Sequence, residues 1–357
     1  MMNSTQSAVA SKGYFSVSIA LLLPWGVPPI ALAHDSVLRR CGRPYPPLLS
    51  AKIYLPMPSP EERGHLLTEQ ANPQSHNLDQ LSCLALVDLF NQADQQTVAA
   101  IANARTALAE GIEIIHACLG QGGRLFYVGA GTSGRLGVLD AVECPPTFCT
   151  PPDLVQGLLA GGASALLRSS EGLEDIAEDG ALAIAAHRIT HLDVVVGITA
   201  GGTTPYVHGA LDEAQARGAK TLFIACVPTD QVPRHADVNI RLITGAEILA
   251  GSTRLKAGTV TKMALNILST GAMVKLGKVY GNRMVDVAVT NRKLEDRALR
   301  ILGDLTGLDR AAASELLTSS GQRVKLALLM HWSGLDAQQA QARLDQHQGN
   351  LRQALAA

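Results

Sequence analysis

Aromatic residues are scarce, at 4% of the 357-residue chain, which leaves little for base-stacking platforms and points to an aliphatic core. Neither sign of charge dominates: 30 Lys and Arg against 31 Asp and Glu leave −1, so no overall cationic field draws in a phosphodiester backbone. Nucleic acid is therefore excluded as a leading partner. Cys41, Cys83, Cys118, Cys144, Cys149 and Cys226 lack paired metal-ligand spacing and are too few for a disulfide scaffold in a chain of this length. Reduced thiols in a cytoplasm are the expectation. Long apolar runs are also missing. Near the N-terminus residues 19–23 are too short to span a bilayer, and Pro24, Pro28 and Pro29 interrupt the apolar residues after them, so no membrane partner is expected.

What the chain does have is core material, with 47% hydrophobic and 17% charged residues. Residues 1–56 read differently from the rest. Lys12, the apolar stretch 14–33 and Ala31-Leu32-Ala33 imitate a secretory signal. A disordered extension, or translated upstream sequence with the start at Met57, are the competing readings. Residues 57–120 then form a lead-in and two helices. The lead-in, 66–81, is polar and irregular around Asn72-Pro73, and helical apolar spacing covers 81–91 and 97–119 up to a stop at Gly120, Gly122 and Gly123.

Short runs rich in Val, Ile and Leu recur at 124–128, 154–159, 193–198, 220–225 and 238–243, with amphipathic segments between them. That pattern predicts a doubly wound α/β domain over 121–290, a five-stranded parallel sheet buried on both faces. Ligands of such sheets sit beyond the carboxyl ends of the strands. There the first turn reads Gly129-Ala130-Gly131-Thr132-Ser133-Gly134-Arg135, where glycines admit a ligand to the backbone, hydroxyls flank it and a helix N-terminus favours an anion. The G-x-G-x-x-G spacing leaves a dinucleotide reading formally open, but no acidic residue ends the next strand to hold a ribose. A second hydroxyl-bearing turn, Thr199-Ala200-Gly201-Gly202-Thr203-Thr204-Pro205, comes after the third strand. A third cluster, Gly251-Ser252-Thr253-Arg254-Leu255-Lys256, opens a long helix over 256–275, and Arg254 and Lys256 are either screening cations or surface charge. Residues 291–357 are densely helical and predict a small three-helix domain.

Residues 126–148, F-Y-V-G-A-G-T-S-G-R-L-G-V-L-D-A-V-E-C-P-P-T-F, resemble the signature of N-acetylmuramic acid 6-phosphate etherases of the sugar isomerase (SIS) superfamily. The resemblance extends over about 62–356, through Thr68-Glu69-Gln70-Ala71-Asn72-Pro73, Glu171-Gly172-Leu173-Glu174-Asp175, Thr204-Pro205-Tyr206 and the segments 251–259, 265–271 and 277–291. It implies a SIS-type fold, a homodimer and a cytoplasmic lyase without metal or nucleotide cofactor. The implied reaction splits the D-lactyl ether of N-acetylmuramic acid 6-phosphate into N-acetylglucosamine 6-phosphate and D-lactate during recycling of cell-wall amino sugars. It implies Glu143 as the acid that protonates the departing lactate and Glu174 as the base at C2. The candidate phosphate and substrate contacts, read from the three clusters above, are Gly131, Thr132, Ser133, Gly134, Arg135, Gly202, Thr203, Thr204, Ser252, Thr253 and Lys256.

Glu143 is placed at the end of the first-turn helix, beside apolar Val142. If 133–143 is wholly helical, however, Glu143 lies roughly 15 Å from the phosphate turn, which calls for a carboxylate from a second chain. Where these etherases commonly carry Ser-Gly-Arg-Thr-Pro, this chain has Gly201-Gly202-Thr203-Thr204-Pro205, losing a hydroxyl and a guanidinium. Val142 likewise stands where Ser is common. Two further readings fit a SIS domain: a non-catalytic sugar-phosphate-binding regulator, and an aldose–ketose isomerase.

Overall fold

The computed structural model describes residues 60–169 and 171–357; the readings made on residues 1–56 and Met57 lie outside them. After short 3-10 turns at Pro60–His65, Pro73–Ser75 and Leu78–Gln80 come α1 (Cys83–Asn103) and α2 (Arg105–Gly120). The joint falls at Ala104, not between residues 91 and 97 as the periodicity suggests. Residues 92–96 contain neither Gly nor Pro, so nothing local breaks the helix there. Ser82 caps α1 by accepting the Ala85 N–H at 3.2 Å. At the far end of α2, Gly122 takes φ 85° and lets Gly123 N–H reach back to the Cys118 carbonyl at 2.9 Å.

The α/β layer is built from β1 (Leu125–Gly129), α3 (Gly131–Phe148), β2 (Val155–Leu159), α4 (Ser164–Leu167), α5 (Ala177–Ala186), β3 (Val194–Ile198), α6 (Pro205–Ala216), β4 (Lys220–Ala225), β5 (Val238–Arg241) and α7 (Lys256–Lys275). All pairings are parallel and the strand order is β2-β1-β3-β4-β5. The winding direction reverses between β1 and β3, which opens a crevice at their carboxyl ends. Successive side chains point to opposite faces. Leu125, Tyr127, Val194, Val196, Leu222 and Ile224 join the core beneath α1, α2, α3 and α7. Phe126, Val128, Val195 and Phe223 join the core against α6. Each fully buried side chain contributes about 1.5–3 kcal/mol, so neither face of a strand is free to turn to solvent.

On that second face α5 and α6 pack backbone to backbone. A Cβ on Gly180 would lie 1.9 Å from the Tyr206 carbonyl oxygen, and one on Gly209 2.0 Å from that of Ala177. These glycines hold residues 177–186 against the helix that leaves β3.

The tail opens with a hairpin, β6 (Val279–Tyr280) and β7 (Arg283–Met284). It continues through α8 (Arg292–Thr306), α9 (Arg310–Ser319), α10 (Val324–Ser333), α11 (Ala337–Gln346) and α12 (Leu351–Ala356), which share a core with Val285 and Val287. There are five helices where the patterning suggests three: Asn291, Asp309, Asp336 and Asn350 each start a new helix by side-chain capping, which divides the apolar pattern into short pieces. Among the described residues no helix is long and apolar enough to cross a membrane.

Candidate functional site

The first turn is shaped by backbone contact. A Cβ on Gly129 would sit 2.6 Å from Gly134 N, and one on Gly134 2.5 Å from the Gly129 carbonyl oxygen, so the strand end and the first helical turn touch. Gly131 takes φ 54° and no side chain caps α3, leaving its first amides to an anion. Thr132 and Ser133 are half-buried beside it. Arg135 turns away: its Nε donates to the Ala165 carbonyl at 2.9 Å and Nη2 to that of Arg168 at 3.2 Å.

The third cluster comes to meet this turn. The Thr132 methyl and the Thr253 carbonyl oxygen both lie 3.6 Å from where a Cβ on Gly258 would be, so the start of α3 and the loop before α7 converge on that glycine. Ser252 and Thr253 are half-buried there. Lys256 is not brought to the crevice. It is 1% exposed, and its Nζ donates to Gln96 Oε1 at 2.9 Å and to the Thr244 carbonyl at 2.7 Å. Burial lowers its pKa against the pull of Glu247 and Asp94. Glu247 fills the amide site of α7, accepting from Lys256 N at 3.0 Å and Ala257 N at 2.8 Å.

Across the crevice, Thr204 begins the entry to α6 with its hydroxyl 2.8 Å from that of Thr199. Gly202 takes φ 79°, Thr203 is buried, and His208 Nε2 lies 2.7 Å from the Gly202 carbonyl oxygen. Glu174 reaches this turn through the main chain: its carbonyl accepts the Tyr206 N–H at 3.0 Å. The E-G-x-E-D segment is thereby held at the N-terminus of α6.

Glu143 stands apart on α3, exposed. The helix does not end there; it runs through Pro145 and Pro146 to Phe148 and stops at Cys149, φ 51°. Proline's φ is already helical and the chain stays helical through the pair, but two main-chain donors are lost and each ring crowds the carbonyl four residues back. Because 131–148 is continuous helix, the ten residues from Ser133 to Glu143 separate them by roughly 15 Å along the axis. One turn before Glu143, buried Asp140 accepts from Tyr127 Oη at 3.0 Å and from Lys262 Nζ at 2.8 Å, fixing α3 to β1 and α7.

Sequence reasoning missed the lead-in segment as part of this site. Leu67 N–H donates to Gln231 Oε1 at 3.0 Å, Asn72 Nδ2 to the Ala246 carbonyl at 3.2 Å and Ser75 Oγ to that of Ile248 at 2.6 Å. The segment therefore lies across the loops after β4 and β5. Thr68 is 1% exposed, and its Oγ1 lies 3.6 Å from where a Cβ on Gly201 would be. Glu69 Oε2 is 3.2 Å from the corresponding point on Gly251, which adds a carboxylate beside the third cluster. The one signal that pointed to it is the T-E-Q-A-N-P motif. Among the described residues no group of three or more His, Cys, Asp or Glu is arranged to hold a metal ion.

Two family models match: the N-terminal SIS domain of glucokinase regulatory protein over residues 107–215, and the SIS domain over 163–270. The N-acetylmuramic acid 6-phosphate etherase of Synechocystis sp. is 81% identical over 301 residues, covering 84% of this chain and 99% of its own length. The etherase of Picosynechococcus sp. is 74% identical over 299 residues, with 84% and 99% covered. Among solved structures, a phosphoheptose isomerase from Francisella tularensis superposes with a TM-score of 0.42 at 18% identity, over 55% of this chain and 98% of that one. With four-fifths of its aligned residues shared over nearly the whole length of such a relative, the chain belongs to the N-acetylmuramic acid 6-phosphate etherase family.

Proposed function

We propose that the protein is a carbon–oxygen lyase that cleaves the D-lactyl ether of N-acetylmuramic acid 6-phosphate, giving N-acetylglucosamine 6-phosphate and D-lactate in the cytoplasm, in recycling of cell-wall amino sugars. The observation that carries it is the 81% identity with an etherase over 99% of that relative's length. The geometry supports it. Two turns rich in amide N–H and hydroxyl groups face one crevice, and the main chain of Glu174 is tied to one of them.

An unactivated ether resists displacement, but in the open-chain sugar the C2 hydrogen is acidified by the C1 aldehyde. Glu174 takes that proton, and the C2–H electron pair becomes the C2=C3 bond. The C3–O bond breaks, and Glu143 gives its proton to the departing lactate oxygen. Water then adds its oxygen at C3 of the unsaturated aldehyde and a proton returns to C2. Two carboxyl groups in opposite protonation states suffice.

The continuous helix over 131–148 sets Glu143 roughly 15 Å along the axis from the phosphate turn of its own chain, so the acid comes from a second copy in a homodimer. The surface beside Glu143 supports this: Leu139 and Val142 are 45% and 57% exposed on that face of the helix.

Incubation with N-acetylmuramic acid 6-phosphate and assay of D-lactate tests the reading. Release by the wild type, lost in E143Q and in E174Q, is expected; a wild-type protein that releases none disproves it. The match to a regulatory protein's SIS domain over 107–215 favours one second reading, a sugar-phosphate sensor, which would bind the phosphosugar and leave it intact.

A further inference from the structure

The turn over residues 199–205 contains no cation, yet positive charge is gathered directly behind it. His208 is buried against Phe223, ring centroids 5.6 Å apart, with Nε2 2.7 Å from the Gly202 carbonyl oxygen. Arg234 Nη1 lies 3.3 Å from His208 Nδ1, and Arg234 Nη2 pairs with Asp212 at 2.8 Å. Arg241 stacks on the other part of the layer, its Cζ 4.9 Å from the Phe223 centroid and its Nη atoms donating to the Val227 and Val232 carbonyls. Among the described residues no carboxylate pairs with Arg241. One carboxylate, that of Asp212 on Arg234, therefore stands against two guanidinium groups.

A guanidinium can only donate, so His208 Nδ1 must accept and Nε2 must carry the hydrogen given to the Gly202 carbonyl. Burial, with Arg234 and Arg241 adding to it against Asp212 and the Gly202 carbonyl, lowers the pKa of His208 and keeps it in that neutral form. In a trans peptide the carbonyl of one residue and the N–H of the next point in opposite directions. With the Gly202 carbonyl pinned inward, the Thr203 N–H points out of the layer made by Val227, Val232 and Phe223. Among the described residues nothing accepts from it.

We infer that His208, held by Arg234, is a positioning residue that locks the Gly202–Thr203 peptide with its N–H presented to the phosphate of the bound amino sugar, while Arg234 and Arg241 supply the positive potential the turn itself lacks. This rests on the sugar-phosphate reading above. An oriented amide backed by charge is an anion receptor that needs no side-chain cation in contact with the ligand.

The test measures binding of N-acetylglucosamine 6-phosphate by calorimetry, alongside KM and kcat for lactate release. His208→Leu keeps the volume and removes the donor; it is expected to weaken binding and raise KM about tenfold with kcat within about twofold. His208→Gln restores a donor and is expected to recover most of that loss. Arg234→Gln is expected to raise KM similarly, and carries the test if His208→Leu does not fold. Wild-type binding in folded H208L or R234Q, or a fall in kcat at constant KM, overturns the inference. A wild type that binds the phosphosugar but releases no lactate defeats the lyase reading alone, and the ratio of H208L to wild-type affinity still decides this one. A wild type that binds no phosphosugar defeats both.

Discussion

The carbonyl of Glu174 and the amide of Tyr206 are joined by a 3.0 Å hydrogen bond between segments 32 residues apart, 206 less 174. The bond caps α6 with the very residue assigned as base. Its length depends on how closely α5 approaches α6.

Gly180 sets that approach. Gly180→Ala would place a methyl 1.9 Å from the Tyr206 carbonyl oxygen, against backbone that cannot swing aside. We expect a loss of at least about 2 kcal/mol in urea unfolding, and lactate release reduced by more than the unfolded fraction accounts for, because Glu174 moves with the segment.

Lys256 separates a ligand from a structural cation. Its Nζ is enclosed between Gln96 and the Thr244 carbonyl, so Lys256→Met leaves two acceptors without a donor. The expected result is a loss of roughly 2–3 kcal/mol with KM within about twofold of wild type. A large rise in KM at unchanged stability would instead return Lys256 to the phosphate.

Asp140 and Lys262 form a pair that is half of the clamp on α3. Lys262→Met strands a buried carboxylate, and with the lysine side chain 30% exposed we expect about 2–3 kcal/mol of destabilisation by thermal melting. Restoring the charge with K262R should recover part of it.

Asp193 gives the acid side of the stability profile. Burial alone would raise its pKa, but hydrogen bonds from Arg124 and from the Thr190 and Arg124 amides outweigh burial and hold it below the ordinary carboxylate value. The unfolded chain therefore binds the proton more readily than the folded one. The contribution is complete above the unfolded value, near about 3.9, and is lost as pH falls below it through the folded value. Urea unfolding at neutral pH and near pH 3 should show a larger drop for wild type than for D193N.

Shared sites make a distinct prediction for mixtures. If each crevice takes Glu174 from one copy and Glu143 from the other, inactive E143Q and E174Q mixed and allowed to exchange should regain up to about one quarter of wild-type activity. A mixture that stays inactive while native mass spectrometry with one variant tagged shows mixed dimers would place both groups in one chain.

Much of this molecule is legible locally. The five strands lie within a residue or two of where the apolar runs put them, and α7 begins and ends at the expected residues. The two glycine- and hydroxyl-rich turns at the ends of β1 and β3 also come from local pattern, since glycines there permit the close strand-to-helix turn. The α1–α2 joint and the end of α3 escape a local reading because neither carries a strong stop: Ala104 is an ordinary helix former, and Pro145 and Pro146 are compatible with helix here.

The sequence by itself determined the alternation that buries both faces of the sheet and the glycine- and hydroxyl-rich turns at the ends of β1 and β3, because each depends on neighbours a few residues away. Only the tertiary structure decided that Lys256 turns inward, that Thr68 and Glu69 lie beside Gly201 and Gly251, and that Arg234 stands behind His208. Those outcomes depend on which distant segments compete for the same space and the same hydrogen bonds, and only the packed chain settles that competition.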